Sequence, residues 1–181
     1  MEFKTYRFGE ITVNFDKKRI PLSGAQREKH RGTYRYYGAQ GVIDYIDDYI
    51  FDGTYLLIAE DGENVKSKKQ NIAQIATGQF WVNNHAHVLT GQPDYPTEYI
   101  YMMFKSTKVK DVVTGAAQPK ISQARLSNKK IIIPSKDLVK AYCVKVDPMF
   151  KQILNLEQQI VLLNEARDRL LPKLMNGEIE V

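Results

Sequence analysis

The chain has 181 residues, 43% of them hydrophobic and 26% charged, with a net charge of +5. That length buries a real core without staples, and the composition is that of a folded globular chain rather than a disordered one. Cys143 is the only cysteine, which excludes an intrachain disulfide and a thiolate zinc cluster and suits a reducing, cytoplasmic setting. No apolar run approaches ~18 residues, and the N-terminus MEFKTYRFGE lacks the apolar core of a signal peptide.

Short β-rich segments alternate with glycine- and charge-rich loops over the first 146 residues. Strands are predicted over Ile11–Phe15, Thr33–Tyr37, Tyr55–Ala59, Phe80–Asn83, Ala86–Leu89, Tyr99–Phe104 and Ile131–Ile133, each rich in β-branched or aromatic residues. Ser122–Leu126 reads as one helical turn or more. The fold class expected is α+β: a β-rich domain over 1–146 with short helices, followed by a long helix over 147–181.

Asp147-Pro148 has the character of a helix start, with a side-chain acceptor followed by a preset φ. Beyond it Ile153, Leu156, Ile160, Leu163, Arg167, Leu170 and Leu174 keep the 3-4 spacing of a coiled-coil seam, with Arg167 placed to pair with a carboxylate across it. Such a seam predicts a partner helix, the alternative being a helix laid against its own domain. Pro172 is expected to end or kink the helix near Leu171, and Gly177 to close it.

Charge divides along the same line. Residues 147–181 hold four basic and six acidic side chains, a net of −2, so the whole-chain +5 leaves +7 on the first 146. Three basic stretches carry most of it. One spans Lys17 to Arg35 and includes Lys29 and Arg31; the second is Lys66-Ser67-Lys68-Lys69; the third runs from Lys105 to Lys130. Seven acids and no base lie between Gly41 and Asn64. Segregation of this kind suits docking on a polyanion. Arg35, Gln40, Gln118 and Lys120 stand among glycines that permit close approach and have the donor and acceptor groups that read base edges; Lys29, Arg31, Lys66, Lys68 and Lys69 suit phosphates.

Signals for catalysis are weak. His85 and His87 share a strand face but lack a third ligand nearby, and no metal or bound cofactor is expected. A small metal-dependent nuclease built on Asp61, Glu63 and His85 or His87 is one rival reading. An assembly protein whose body binds no DNA is another.

Four segments, in order, resemble the specificity subunits of type I restriction–modification enzymes. They are Tyr36–Tyr45, Gly53–Gly62, Phe80–Leu89, and Thr114–Ser122 followed by Ile131–Pro134; the ending Leu170–Ile179 is similar to the close of that family's conserved helix. The resemblance implies a non-catalytic target recognition domain, 1–146, that reads half of a bipartite DNA site, and a dimerisation or spacer helix, 147–181. Its implied partners are double-stranded DNA, a methyltransferase subunit that binds S-adenosylmethionine and methylates adenine N6, and a restriction subunit. Standard members have two recognition domains and two helices. With one of each, this chain is expected to be a natural half-subunit or part of a longer one, and to form a homodimer.

Overall fold

A computed structural model describes residues 3–62, 65, 72–115 and 118–179. The chain divides into two compact units, Met1–Val139 and Lys140–Val181.

The first unit is built on a six-stranded sheet ordered β2-β7-β5-β6-β3-β4, from strands β2 (Thr12–Asn14), β3 (Arg31–Gly38), β4 (Gly41–Ile46), β5 (Phe51–Ala59), β6 (Ala73–Val82) and β7 (Ala86–Gly91). All neighbours are antiparallel except β3 and β6, which run parallel. At the centre lies β5, where Leu56, Leu57, Ile58 and Ala59 are all buried, so both faces of that strand are covered. Leu57 packs with Tyr37, Phe51, Phe80, Val82 and Val88 on one face. Helix α3 (Thr97–Ser106) packs across β5, β6 and β7, which explains a continuous apolar run in place of alternation. On the outer part of the sheet Tyr36, Ile46 and Trp81 form a smaller cluster with Leu22 and Ile50, pinned by the Trp81 indole donating to the Ile20 carbonyl at 2.6 Å.

Two glycines set the curvature. Gly53 and Gly78 face each other across β5 and β6, at φ +127° and +74°, backbone conformations that favour glycine. The sheet curls there. Gln74, early in β6, donates to the carbonyl of Gly38 at the end of β3, although Gly38 also adjoins Asn83 past the far end of β6. A flat strand would hold Gln74 and Asn83 ~30 Å apart.

Around the sheet lie β1 (Phe3–Arg7), the helical turn α1 (Phe8–Ile11), α2 (Gly24–Lys29), the ribbon of β8 (Val113–Thr114) with β9 (Lys120–Ile121), α4 (Gln123–Asn128) and β10 (Lys130–Pro134). β1 pairs antiparallel with β10, and period-2 burial is plain there, with Ile131 and Ile133 buried and Ile132 at 68% exposure between them.

Two expectations are corrected. Tyr99–Phe104 is helical, not a strand: Thr97, Ile100 and Phe104 are buried at helical spacing, and that pattern outweighs the β preference of tyrosine and phenylalanine. The long helix α5 runs Lys136–Met175, beginning eleven residues before Asp147, with Pro148 and Pro172 inside it. Val139, Cys143, Val146 and Phe150 already keep the 3-4 spacing that Ile153 continues, so the missing proline amide costs hydrogen bonding without breaking the periodic pattern. Cys143 is therefore helical and buried. The closing glycine is where it was expected: Gly177 has φ +71°, and Glu178 N–H reaches back to the Lys173 carbonyl at 2.9 Å.

Candidate nucleic-acid interface

Segments far apart in sequence meet in one buried polar cluster. Asp16, in the turn after β2, accepts the Val88 N–H at 2.8 Å and the His87 Nδ1 proton at 2.6 Å. His87 Nε2 lies 2.7 Å from the Ile121 carbonyl. Both ring nitrogens thus face acceptors, an arrangement only imidazolium satisfies fully. Burial by itself would push the His87 pKa down, but the hydrogen bonds to Asp16 and Ile121 and the charges of Asp16 and Glu60 raise it above the ordinary histidine value. Burial would likewise raise Asp16; the bonds from His87 and Val88 hold it below the usual carboxylate range.

Arg19 completes the cluster. Its Nη1 donates to Glu60 Oε2 at 3.1 Å, to the Ala86 carbonyl at 2.8 Å and to the Asn84 carbonyl at 3.3 Å. Glu60 Oε1 in turn holds Lys120 Nζ at 2.8 Å. Backbone bonds follow the same path, from Ile121 N–H to Glu60 O at 2.7 Å and from Glu60 N–H to His85 O at 2.9 Å. Three of the four resemblance segments are tied together here, at Glu60, Asn84–Val88 and Lys120–Ile121.

The fourth segment joins through the turns above the cluster. A Cβ at Gly62 would lie 3.8 Å from the Ala39 Cβ, which puts the β5–β6 turn beside the β3–β4 turn. His85 Nδ1 meets Asp61 Oδ1 and Oδ2 at 2.9 and 3.0 Å, bridging the β5–β6 and β6–β7 turns. Gln40 and Gln118 are exposed in the first turn and in the loop before β9. Gly115, at φ +86°, shapes that loop: a Cβ there would sit 2.4 Å from the Gln118 carbonyl.

The residues read from sequence as contacts fall into separate places. Gln40, Gln118 and Lys120 are at the cluster end of the sheet, with Lys120 already paired to Glu60. Lys29 closes α2 and Arg31 opens β3, both exposed; an eight-residue strand puts Arg31 ~25 Å from Gln40. Arg35 is midway along β3 and half-buried. Lys66, Lys68 and Lys69 lie outside the described residues.

Several basic residues counted toward the positive face are structural. Arg27 Nε donates to Asp44 at 2.8 Å and its guanidinium lies over the Tyr36 ring, while buried Lys129 is held by Asp111 at 2.7 Å. Sequence reading missed Arg19 and Glu60 as partners and joined Asp61 to His85 only as metal ligands, because 24 to 67 positions separate the bonded groups.

His85 and His87 are engaged by different carboxylates, one half-buried and one buried, and Glu63 lies outside the described residues. Among the described residues no group of three or more His, Cys, Asp or Glu side chains is placed to hold a metal ion.

Taken by itself, the second unit carries an open apolar stripe. Ile153, Leu156, Ile160, Leu163, Leu170 and Leu174 are between 39% and 69% exposed. Arg167 pairs with its neighbour Asp168 at 2.7 Å. No described helix is long and apolar enough to cross a membrane.

Comparison with known proteins gives one consistent answer. Residues 1–160 match the model of the type I restriction modification DNA specificity domain. A Haemophilus influenzae protein assigned as the type I restriction enzyme specificity subunit S.HindORF215P is 34% identical over 125 residues, 69% of this chain and 31% of that one. The MjaIX specificity subunit of Methanocaldococcus jannaschii is 28% identical over 135 residues, 73% of this chain and 31% of its own. The crystal structure of the type-I restriction-modification system S subunit from M. genitalium superposes with a TM-score of 0.70 at 14% identity, covering 96% of this chain and 46% of that one. The chain thus spans about a third of the length of these curated relatives. With 160 of its 181 residues matched, it belongs to the type I restriction–modification DNA specificity domain family.

Proposed function

We propose that this chain is a non-catalytic, sequence-reading subunit of a type I restriction–modification complex, recognising half of a bipartite DNA site through residues 1–146 and pairing through the helix that follows. The observation that carries the reading is the convergence of the four family-like segments on one end of the curled sheet. Their turns present Gln40 and Gln118 on a backbone fixed by the Asp16–His87–Arg19–Glu60–Lys120 cluster. Rigid mounting of polar groups is what base readout needs, because each hydrogen bond discriminates only if it cannot shift to a wrong base. Lys66, Lys68 and Lys69, which follow the Asp61-Gly62 turn in sequence, would supply phosphate contacts, and Lys29 and Arg31 would add others.

The exposed stripe Ile153, Leu156, Ile160, Leu163, Leu170 and Leu174 supports the second half of the reading. An apolar row of that length is stabilised by a partner helix, and two copies of this chain would form a homodimer reading a palindromic site. The methyltransferase subunit would supply S-adenosylmethionine and the methyl transfer in the cytoplasm, with a restriction subunit as a further partner.

The test is enrichment of duplexes from a randomised library by the purified chain, followed by affinity against salt for the enriched sequence. Enrichment of one motif, with an affinity that falls steeply as salt rises, is the expected result. Binding of all duplexes alike at every salt concentration would contradict the reading.

A further inference from the structure

Half-exposed on the rim is one polar group that the buried cluster does not use. His85 precedes β7, and its Nδ1 faces both oxygens of Asp61 at 2.9 and 3.0 Å. In its neutral form the ring carries its proton on Nδ1, facing the carboxylate acceptors, and its lone pair on Nε2. Nε2 has no hydrogen-bond partner among the described residues. The side chain is 51% exposed and Asp61 33% exposed.

The pair is not needed to join its two turns. Glu60 N–H to His85 O, and His85 N–H to Asn83 Oδ1 at 2.8 Å, already fix the backbone there, and a side-chain contact this exposed holds little folding energy. What the pair does is fix a tautomer and a ring direction. The resulting group is a directed acceptor with the Asp61 carboxylate behind it, on the same rim as Gln40. A phosphate is a poor match, since it too only accepts and would be repelled by Asp61. The complementary partner is a donor on a base edge, and in the major groove that is the exocyclic amino group of adenine or cytosine.

We infer that His85 is a specificity-determining residue whose Nε2 accepts from an exocyclic amino group of the target, with Asp61 as the positioning residue that sets its tautomer. The inference rests on the DNA-reading role proposed above.

The experiment uses the full chain and its library-enriched duplex. Each adenine is replaced in turn by purine and each cytosine by pyrimidin-2-one, analogues that lack only the amino group. For the natural chain, one base pair should show a loss of roughly five- to ten-fold that the His85→Ala chain does not show, the worth of one hydrogen bond. Penalties at the other pairs should be unchanged. Asp61→Asn should shrink the penalty at the same pair, because an amide can hold Nδ1 either as donor or as acceptor; a general gain in affinity from the lost negative charge would leave that ratio untouched.

An identical analogue profile for the natural and His85→Ala chains overturns the inference while leaving DNA reading in place. An unchanged penalty in Asp61→Asn overturns the positioning role. Failure of the natural chain to enrich any sequence overturns DNA reading, and this inference with it.

Discussion

Residues 3–139 and the helix beyond them satisfy their side chains in opposite ways. In the first unit Phe8, Leu56, Leu57, Phe80 and Ile121 are fully buried, and the acids Asp16, Asp44, Glu60 and Asp111 each meet a cation from another part of the chain. From Lys151 to Ile179 every described side chain but Leu154 is exposed, leucines and isoleucines included. The first unit closes on itself; the second, taken by itself, leaves an apolar row exposed along its helix. The contrast separates two kinds of experiment, one on folding and one on association.

The largest effect on folding is expected at the buried pair. His87→Ala leaves Asp16 charged and without its main partner, which costs about 3–5 kcal/mol, and urea unfolding of the full chain should show it. Equal stability of the variant and the natural chain would mean the cluster is not the keystone of the first unit.

On the association side, Ile160→Asp should cost a dimer roughly 2–3 kcal/mol per copy through lost apolar burial, read as a shift toward monomer in sedimentation at micromolar concentration. Unfolding of the first unit should not change. A variant that stays dimeric would break the contrast.

Smaller again is the backbone strain of Gly78→Ala, about 1–2 kcal/mol for a side chain at positive φ, visible as a lowered urea midpoint.

The pH dependence sharpens the same comparison. The raised pKa of His87 gives stability that is fully present below the ordinary histidine value of about 6.5 and is lost as pH rises through the folded value. The lowered pKa of Asp16 gives stability that is present above the ordinary carboxylate range and is lost as pH falls through its folded value. The first unit should therefore be most stable at mildly acidic pH, and His87→Gln should flatten the decline on the alkaline side. The least effect belongs to Asp168→Ala, under ~0.5 kcal/mol, because its pair with Arg167 is fully wetted.

The sequence made parts of this legible and hid others for physical reasons. Strands at the sheet centre stood out, since Tyr55–Ala59 and Phe80–Val82 are apolar on both faces. The edge strand β4 did not, because Val42, Ile43 and Tyr45 are exposed and Asp44 interrupts them. Gly177 was readable as a helix end, whereas Asp147-Pro148 imitated a helix start inside a longer helix. For the candidate site, glycine-flanked turns pointed to Gln40 and Gln118. The Arg19–Glu60 and His85–Asp61 pairs depend on how the sheet curls at Gly53 and Gly78, and no local pattern encodes that.

The most direct test of the account as a whole is to map adenine methylation in the DNA of a host expressing this chain with a type I methyltransferase subunit. A palindromic bipartite motif that vanishes when the chain is omitted is the result expected. A methylation pattern unchanged by the chain, from a methyltransferase shown to bind it, would contradict the claim that residues 1–146 supply the sequence that the complex reads.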